Sequence, residues 1–192
     1  METPTKDEIR ERIWDRLESE GVARFPFPPQ GRIPNFEGAR VAAEHVITSR
    51  WLDGAQTIKV NPDAPQRYVR IAALERGLRV LVPTPRLRGG FYLLDPERIP
   101  ADKHSTAASL SHIETWAETR ALDALPRIDG IVTGSVAVTT SGARCGKGEG
   151  YSDLEYAILG ALGQDPVPIV TTVHPIQIVD AMPAEAHDLT LS

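Results

Sequence analysis

Short runs of β-branched and apolar residues alternate along the chain with longer segments of helical periodicity, and this alternation constrains the fold more than any other feature. The runs predicted as strands are 57–60, 78–82, 131–140 (one or two strands, interrupted near Gly134), 168–173 and 176–179. The segments predicted as helices are 5–20, 35–48, 65–76, 105–120 and 152–162. Strands that alternate with helices build a sheet covered on both faces. The sequence therefore predicts an α/β fold with three layers, α/β/α, around a mostly parallel sheet.

Local signals set the limits of these elements. Thr5 and Glu8 form the pattern of a capping box at the start of the first helix, and Asn35 is expected to cap the second. Proline-rich stretches at 25–34 and 82–90 predict ordered loops, because proline lacks an N–H group and fixes φ. Ligands of such folds bind beyond the carboxyl ends of the strands. The loop at 82–90 and the glycine-rich loop at 146–153 both follow predicted strands, so both are candidate binding loops.

Composition narrows the class of protein. A chain of 192 residues with a net charge of −5 is expected to form one domain, residues 1–192, as a monomer or weak homodimer. The absence of a basic excess argues against a nucleic-acid partner. No apolar run approaches the roughly 20 residues of a membrane span, and the charged N-terminus does not resemble a secretory signal. With a single cysteine, Cys145, the sequence indicates a cytoplasmic protein without disulfides or a cysteine-based zinc site.

The glycine-rich loop is the first candidate site. Gly146, Gly148 and Gly150 alternate just before a predicted helix, where glycine permits close approach of a ligand and the helix N-terminus attracts anions. Arg144 and Lys147 add positive charge, and Asp153 could hold a magnesium ion. The spacing matches neither a P-loop nor a dinucleotide fingerprint. Two interpretations stay open at this point: a phosphate cradle, or a flexible turn with solvated charges.

A second candidate is a basic pair in the first helix. Lys6 and Arg10 are four residues apart, so they share a face, and that face lies within the apolar stripe of Ile9, Ile13 and Leu17. Cations on a core-facing stripe are costly unless paired. Either they extend to solvent at the end of the stripe, or they meet an anion, such as a phosphate held by the glycine loop.

Other residues give weaker signals. Arg144, Lys147 and the helix N-terminus would lower the pKa of Cys145, but no histidine lies close in sequence and a nucleophilic role is not expected. Arg86 and Arg88 follow a predicted strand, and could contact an anion or be solvated loop charges. The five histidines lack ligand spacing and are expected to be structural or exposed.

These features together resemble the 5-formyltetrahydrofolate cyclo-ligase family, whose members carry K-x-x-x-R in the first helix and a late loop R-x-G-x-G-x-G-Y-Y-D. The matching residues are Lys6, Arg10, Arg144, Gly146, Gly148, Gly150, Tyr151 and Asp153. The resemblance is strongest to the methenyltetrahydrofolate synthase domain-containing branch, through IPNF (33–36), VPTPRLR (82–88), GSVAV (134–138) and GKGEGY-x-DLEYA (146–157). It spans nearly the whole chain.

The resemblance implies a cyclo-ligase-like fold and an ATP- and Mg²⁺-dependent conversion of 5-formyltetrahydrofolate, a reduced folate, to 5,10-methenyltetrahydrofolate. Lys6 and Arg10 would contact ATP, and Gly146, Lys147, Gly148 and Gly150 would hold its phosphates together with Arg144 and Tyr151. Lys6, Arg144 and Tyr151 would form the catalytic set. Asp153 and Asp188 would be the metal ligands.

The chain departs from the family pattern at three places. Ser152 replaces the second tyrosine of the glycine loop, Asp63 stands near a folate-contacting glutamate, and Thr133-Gly134 replaces Pro-Gly. Family members also usually continue into one more strand beyond the position of Ser192. These departures concern the folate side more than the ATP side. They leave open a non-catalytic nucleotide- or pterin-binding module, or an enzyme acting on another carboxylate or formamide.

Overall fold

The fold is organised around a six-stranded sheet in the computed structural model, which describes residues 4–192. Its strands are β3 (Thr57–Val60), β4 (Arg79–Pro83), β5 (Phe91–Leu94), β6 (Glu118–Arg120), β7 (Gly130–Thr133) and β10 (Ile169–Thr171). They lie in the order β10-β7-β3-β4-β5-β6. The first four are mutually parallel, whereas β5 and β6 run antiparallel at one edge. The predicted mostly parallel α/β sheet is confirmed.

Two short antiparallel pairs lie outside this sheet. β1 (Ala23–Arg24) pairs with β2 (Asn35–Phe36), and β8 (Ala137–Val138) pairs with β9 (Arg144–Cys145). The second pair leads directly into the glycine-rich loop. It therefore connects the carboxyl end of β7 with the helix that follows the loop.

The helices cover both faces of the sheet. They are α1 (Lys6–Ser19), α2 (Ala39–Ile47), α3 (Gln66–Glu75), α4 (His104–Ala107), α5 (Ile113–Trp116) and α6 (Tyr151–Ala161). Residues of α2 and α3 pack with Val80 and Val82 on one face, whereas Leu159 of α6 packs with Leu81 and Ile131 on the other. This alternation of side chains along β4 produces the three layers. Within residues 4–192, no helix combines the length and apolar character that a membrane crossing requires.

The first helix forms as its sequence predicts. Thr5 is the N-cap, and its side chain and that of Glu8 complete a reciprocal capping box. The apolar stripe of α1 is buried and packs against a separate cluster that includes Ile33, Val136 and Ile176. The N-terminal end of α1 is thereby held beside the glycine-rich loop.

Three predicted elements are wrong, and in each case other contacts of the backbone decide. Asn35 does not cap a helix but lies in β2, with its side chain bonded to the carbonyl of Phe25; α2 begins only after Gly38. The segment 105–120 is not one helix, because its last residues pair with the free edge of β5. The segment 176–179 is not a strand, because Pro175 opens a 3₁₀ turn over Pro175–Gln177. The strand β5 was not predicted at all.

A buried ion pair joins the sheet to α6. Lys59 of β3 faces α6, where its ammonium contacts the carboxylate of Glu155 and donates to Asn61 Oδ1 at 2.7 Å. Lys59 and Glu155 are 2% and 6% exposed, so both charges are largely shielded from water. Charges in such an environment require each other, since desolvation of an unpaired one costs several kcal/mol. The pair therefore fixes how α6, and the loop before it, sits on the sheet.

Loss of one partner of this pair should destabilise the fold more than loss of both. We expect Lys59→Met to lower the free energy of unfolding by about 3–5 kcal/mol, because it leaves the Glu155 carboxylate buried and uncompensated. The double variant Lys59→Met/Glu155→Leu should recover most of this loss. Urea denaturation of Lys59→Met, Glu155→Leu and the double variant measures both effects.

The surface pair Arg16–Glu20 provides the control, since both side chains are about half exposed. Arg16→Ala should change the free energy of unfolding by at most about 1 kcal/mol. Additive effects of the Lys59 and Glu155 substitutions would show that the buried pair does not hold α6.

Candidate functional site

A cavity of about 850 Å³ opens where the strands β3 and β4 end. Asn61 follows β3 and Thr84 follows β4 on its wall, and the N-terminus of α1 and the loop before α6 complete it. The cavity lies beyond carboxyl ends of parallel strands, the usual place for a ligand in an open α/β sheet. All ten site residues expected from the sequence line it: Lys6, Arg10, Arg144, Gly146, Lys147, Gly148, Gly150, Tyr151, Asp153 and Asp188.

The basic pair of α1 faces the glycine-rich loop. Arg10 Nε donates to the carbonyl oxygen of Gly146 at 2.7 Å, and the Arg10 guanidinium lies within 4 Å of the position that a Cβ on Gly148 would occupy. Lys6 reaches the same cavity. Of the two interpretations of this pair, the structure thus favours the internal location over extension into solvent. What anion they bind stays a prediction.

The cations of the glycine-rich wall already have carboxylate partners. Lys6 Nζ lies 2.6 Å from Asp188, Arg10 Nη1 lies 2.5 Å from Asp7, and Lys147 Nζ lies 3.1 Å from Glu149. The Asp7 and Glu149 side chains are exposed, whereas the Asp188 side chain is largely buried. A phosphate entering the cavity would therefore compete with internal carboxylates for the same donors.

Arg144 is anchored differently, to the backbone. Its Nε and Nη2 donate to the Gly134 carbonyl oxygen at 3.0 and 2.6 Å, and Nη2 lies 3.4 Å from Ser152 Oγ. Burial lowers the pKa of this guanidinium, and the charge of Asp153 partly offsets the shift. A Cβ on Gly146 would approach Nη2 to 2.9 Å, so a side chain there would displace the Arg144 guanidinium. Arg144 thus shapes the loop as well as lining the cavity.

The loop ends in two glycines that no other residue replaces easily. Gly148 and Gly150 have φ of 102° and 71°, in the left-handed region where L side chains are strained. Gly150 is the N-cap of α6, with no side-chain cap, so the first backbone N–H groups of the helix are available to a ligand. Tyr151 follows directly, and its side chain is 37% exposed at the cavity.

The two aspartates expected to bind metal lie on the same cavity wall but are engaged by the C-terminal segment. Asp153 Oδ1 accepts from Leu189 N at 2.8 Å, and Asp188 Oδ2 accepts from Glu185 N at 2.6 Å. Burial tends to raise the pKa of Asp188, but the hydrogen bonds from Lys6 and from Glu185 N outweigh it, so the pKa is lowered.

Two carboxylates suit Mg²⁺, which often takes one or two protein carboxylates and completes its shell with phosphate and water oxygens. Within residues 4–192, no group of three or more histidine, cysteine, aspartate or glutamate side chains could hold a metal alone. Asp153 Oδ2 accepts no hydrogen bond from the described residues, so it fits a metal directly. Asp188 fits once Lys6 moves from it.

Sequence reasoning missed a polar network beneath the cavity. Asn61 links Lys59 to Ser152, with Asn61 Nδ2 donating to Ser152 Oγ at 3.1 Å. Arg70 of α3 is fully buried and donates to the carbonyls of Asn61 and Ala108 at 2.7 and 2.9 Å. A lysine inside the otherwise β-branched strand TIKV was the available signal for this network. The Arg70 position carried none, since an arginine in an amphipathic helix is usually exposed.

Burial changes the titration of three groups near this network. It lowers the pKa of Arg70 to about 9 and raises the pKa of Asp63, although the charge of Lys147 partly opposes the second shift. Burial also raises the pKa of the Cys145 thiol, against the weaker effect of Arg10. The expectation that its basic neighbours lower the Cys145 pKa is therefore wrong, because desolvation outweighs them.

The raised pKa of Asp63 makes a prediction about stability and pH. Its ionised form is disfavoured by folding, so the free energy of unfolding falls as pH rises from the ordinary aspartate pKa of 3.8 through the raised pKa. Asp63→Asn removes this penalty. We expect a higher melting temperature than the parent protein at pH 7, and no difference at a pH below 3.8, measured by calorimetry.

The reverse pattern, a loss of stability confined to pH 7, would mean that the Asp63 carboxylate has a stabilising cationic partner in the folded protein. Asp53→Asn is the control, because that side chain is exposed and does not line the cavity.

Comparison with known proteins agrees with this architecture. The sequence model of the 5-formyltetrahydrofolate cyclo-ligase family matches residues 2–192. A solved structure of the 5,10-methenyltetrahydrofolate synthetase of Aquifex aeolicus superposes with a TM-score of 0.58, covering 97% of this chain and 86% of that one. At 15% identity this likeness shows a shared fold.

Relatives in vertebrates are closer in sequence. Methenyltetrahydrofolate synthase domain-containing proteins from Bos taurus and Mus musculus are each 45% identical, over 97% and 100% of this chain. The protein of that name from Homo sapiens is 39% identical. The chain spans about half the length of these relatives, 51% and 53% for the first two. With a family match over nearly every residue and relatives well above 30% identity, the chain belongs to the 5-formyltetrahydrofolate cyclo-ligase family.

Proposed function

We propose that this chain is an ATP- and Mg²⁺-dependent ligase that converts 5-formyltetrahydrofolate to 5,10-methenyltetrahydrofolate. One observation carries the proposal. A single cavity is lined by the glycine-rich loop and the start of α1, which together supply four cations, and by a wall with tyrosine and apolar side chains. The first wall suits a triphosphate, and the second suits a flat heterocyclic substrate. Family membership supplies the reaction type.

In the proposed reaction, the formyl oxygen of the folate attacks the γ-phosphorus of ATP, and ADP leaves. N10 of the folate then attacks the activated formyl carbon, and phosphate departs as the ring closes. Phosphoryl transfer of this kind depends mainly on positioning and on neutralising charge. The protein would supply both through side chains that already surround the cavity.

The role proposed for each cation follows from its position. Lys6 and Lys147 line the cavity and would bind phosphate oxygens through their ammonium groups as point charges. Arg10 would bind phosphate with its Nη atoms while Nε keeps its bond to Gly146 O. Arg144 would hold the loop in shape, and Tyr151 would contact the nucleotide from the first turn of α6.

Asp153 and Asp188 would hold Mg²⁺, which supplies charge neutralisation at the phosphate oxygens when bound. Lys6 would then exchange Asp188 for a phosphate oxygen. Both partners of the present Lys6–Asp188 pair would thus find opposite charges in the loaded site.

A second candidate function is nucleotide or pterin binding without turnover. Ser152 favours it, because the tyrosine hydroxyl expected at this position is replaced by a short side chain that bonds to Asn61. The names of the relatives describe a domain and not an activity.

The test is to incubate the protein with ATP, Mg²⁺ and 5-formyltetrahydrofolate and to follow the absorbance band of the methenyl product. Product formation that requires all three components supports the ligase. Saturable binding of both ligands by calorimetry without product would instead establish the binding module.

Removal of a loop-facing cation should weaken nucleotide binding. We expect Arg10→Gln and Lys147→Gln each to reduce the affinity for Mg²⁺-ATP by roughly 1–3 kcal/mol, the scale of charge-assisted hydrogen bonds. Titration calorimetry measures the change. Arg12→Gln is the matched control, because Arg12 is exposed on the same helix and does not line the cavity. Equal affinity for Mg²⁺-ATP in the parent and all three variants would show that the nucleotide does not bind at this wall.

Asp153 has two possible roles that one substitution separates. Asp153→Asn keeps an oxygen that can accept from Leu189 N but is a weaker ligand for a hard cation. We expect a melting temperature close to that of the parent protein. The increase in ATP affinity that Mg²⁺ causes should be at least about ten-fold smaller in Asp153→Asn than in the parent, measured by titration calorimetry. A lower melting temperature with unchanged Mg²⁺ dependence would show that Asp153 only anchors the C-terminal segment.

A further inference from the structure

The loop between β4 and β5 has an unusual backbone. Arg86 and Leu87 are consecutive non-glycine residues with φ of 53° and 55°, in the left-handed region that L side chains rarely adopt. Thr84 maintains this conformation: its hydroxyl donates to Gly90 O at 2.9 Å and accepts from Gly89 N at 3.1 Å. Leu87 N also donates to Thr84 O at 2.9 Å. The surrounding bonds thus hold Arg86 in one strained backbone geometry.

This geometry places Arg86 on the cavity wall, whereas Arg88, two residues later, does not line the cavity. The wall around Arg86 comes from the β4–β5 hairpin and α5, not from the glycine-rich loop. Its other members are mostly apolar or aromatic: Pro83, Pro85, Tyr92, Leu110 and Ile113. The acid of this wall, Glu114, is occupied by a hydrogen bond from the Tyr92 hydroxyl at 2.9 Å.

Arg86 differs from the other cations of the cavity in having no partner. Lys6, Arg10 and Lys147 contact carboxylates, and Arg144 donates to a backbone carbonyl. His187 lies 3.0 Å from Glu185. Among residues 4–192, nothing forms a hydrogen bond or ion pair with the Arg86 guanidinium. Arg86 is exposed, so water solvates its guanidinium in the free protein. Because the held loop places this unpaired cation at the edge of an apolar cavity wall, the guanidinium is free to bind an anionic group of a ligand that lies along that wall.

We propose that Arg86 binds a carboxylate at the distal end of the second substrate and so selects folates that carry their glutamate. This inference rests on the proposed function. A reduced folate joins a heterocycle through an aromatic ring to a glutamate, so an apolar wall ending in an arginine matches the order of its parts. The planar guanidinium can bind a carboxylate with two parallel hydrogen bonds.

The test compares two ligands on three proteins by titration calorimetry. The ligands are 5-formyltetrahydrofolate and the same compound with both glutamate carboxylates converted to amides. The proteins are the parent, Arg86→Asn and Arg88→Asn. Asparagine tolerates the left-handed region, so Arg86→Asn removes the guanidinium without adding backbone strain. Arg88→Asn removes the same charge from a side chain that, like Arg86, is exposed but that does not line the cavity.

We expect the parent and Arg88→Asn to bind the free acid roughly ten-fold or more tightly than the diamide, the scale of a charge-assisted bidentate contact. Arg86→Asn should bind both ligands equally, at the affinity that the parent shows for the diamide. Its affinity for Mg²⁺-ATP should be unchanged.

Several results would overturn the assignment: a preference that survives in Arg86→Asn, a preference lost equally in Arg88→Asn, or weaker Mg²⁺-ATP binding in Arg86→Asn. A parent protein that binds neither folate would overturn the proposed function together with this inference. Preferential binding without turnover would leave Arg86 assigned and refute only the ligase activity.

Discussion

The buried contact between Lys59 and Glu155 determines where the rest of the site can be. It joins the central strand β3 to α6 through two charges that have little access to water. Because an unpaired charge at either position would be strongly unfavourable, α6 can sit on the sheet in essentially one way. Because the glycine-rich loop leads directly into α6, the position of α6 also fixes the position of the loop. Asn61 extends the contact to Ser152, so the first turn of α6 is tied to the end of β3 at two points.

With α6 fixed, the cavity acquires two chemically different walls. The glycine-rich wall contains cations whose charges are matched by carboxylates or carbonyls of the protein itself. The wall of the β4–β5 hairpin contains apolar and aromatic side chains and a single arginine, which has no partner among residues 4–192. Charge pairing and strain thus divide one cavity into a part suited to a polyanion and a part suited to a largely apolar molecule with one charged end.

How much of this the sequence could predict depends on the range of the interactions involved. The capping box of Thr5 and Glu8, the glycines and the angular position of Lys6 and Arg10 are local signals, and they led to the observed helix and its approach to the loop. The segment 105–120 was misjudged because the free edge of β5, remote in sequence, captures its last residues. The Cys145 pKa was misjudged for a similar reason: charged neighbours are visible in a sequence, but the desolvation that outweighs them is not.

The paired cations also bear on how a ligand leaves. In a site of bare cations, departure of a polyanion exposes several uncompensated charges at once, and the resulting attraction slows release. Here each cation can return to a carboxylate of the protein when the ligand leaves. The pairs are Arg10 with Asp7, Lys147 with Glu149 and Lys6 with Asp188. Exchange of one anion for another changes the local charge far less than adding or removing one. Binding at this wall should therefore depend only weakly on ionic strength, and a spent nucleotide could be displaced contact by contact by the protein's own carboxylates.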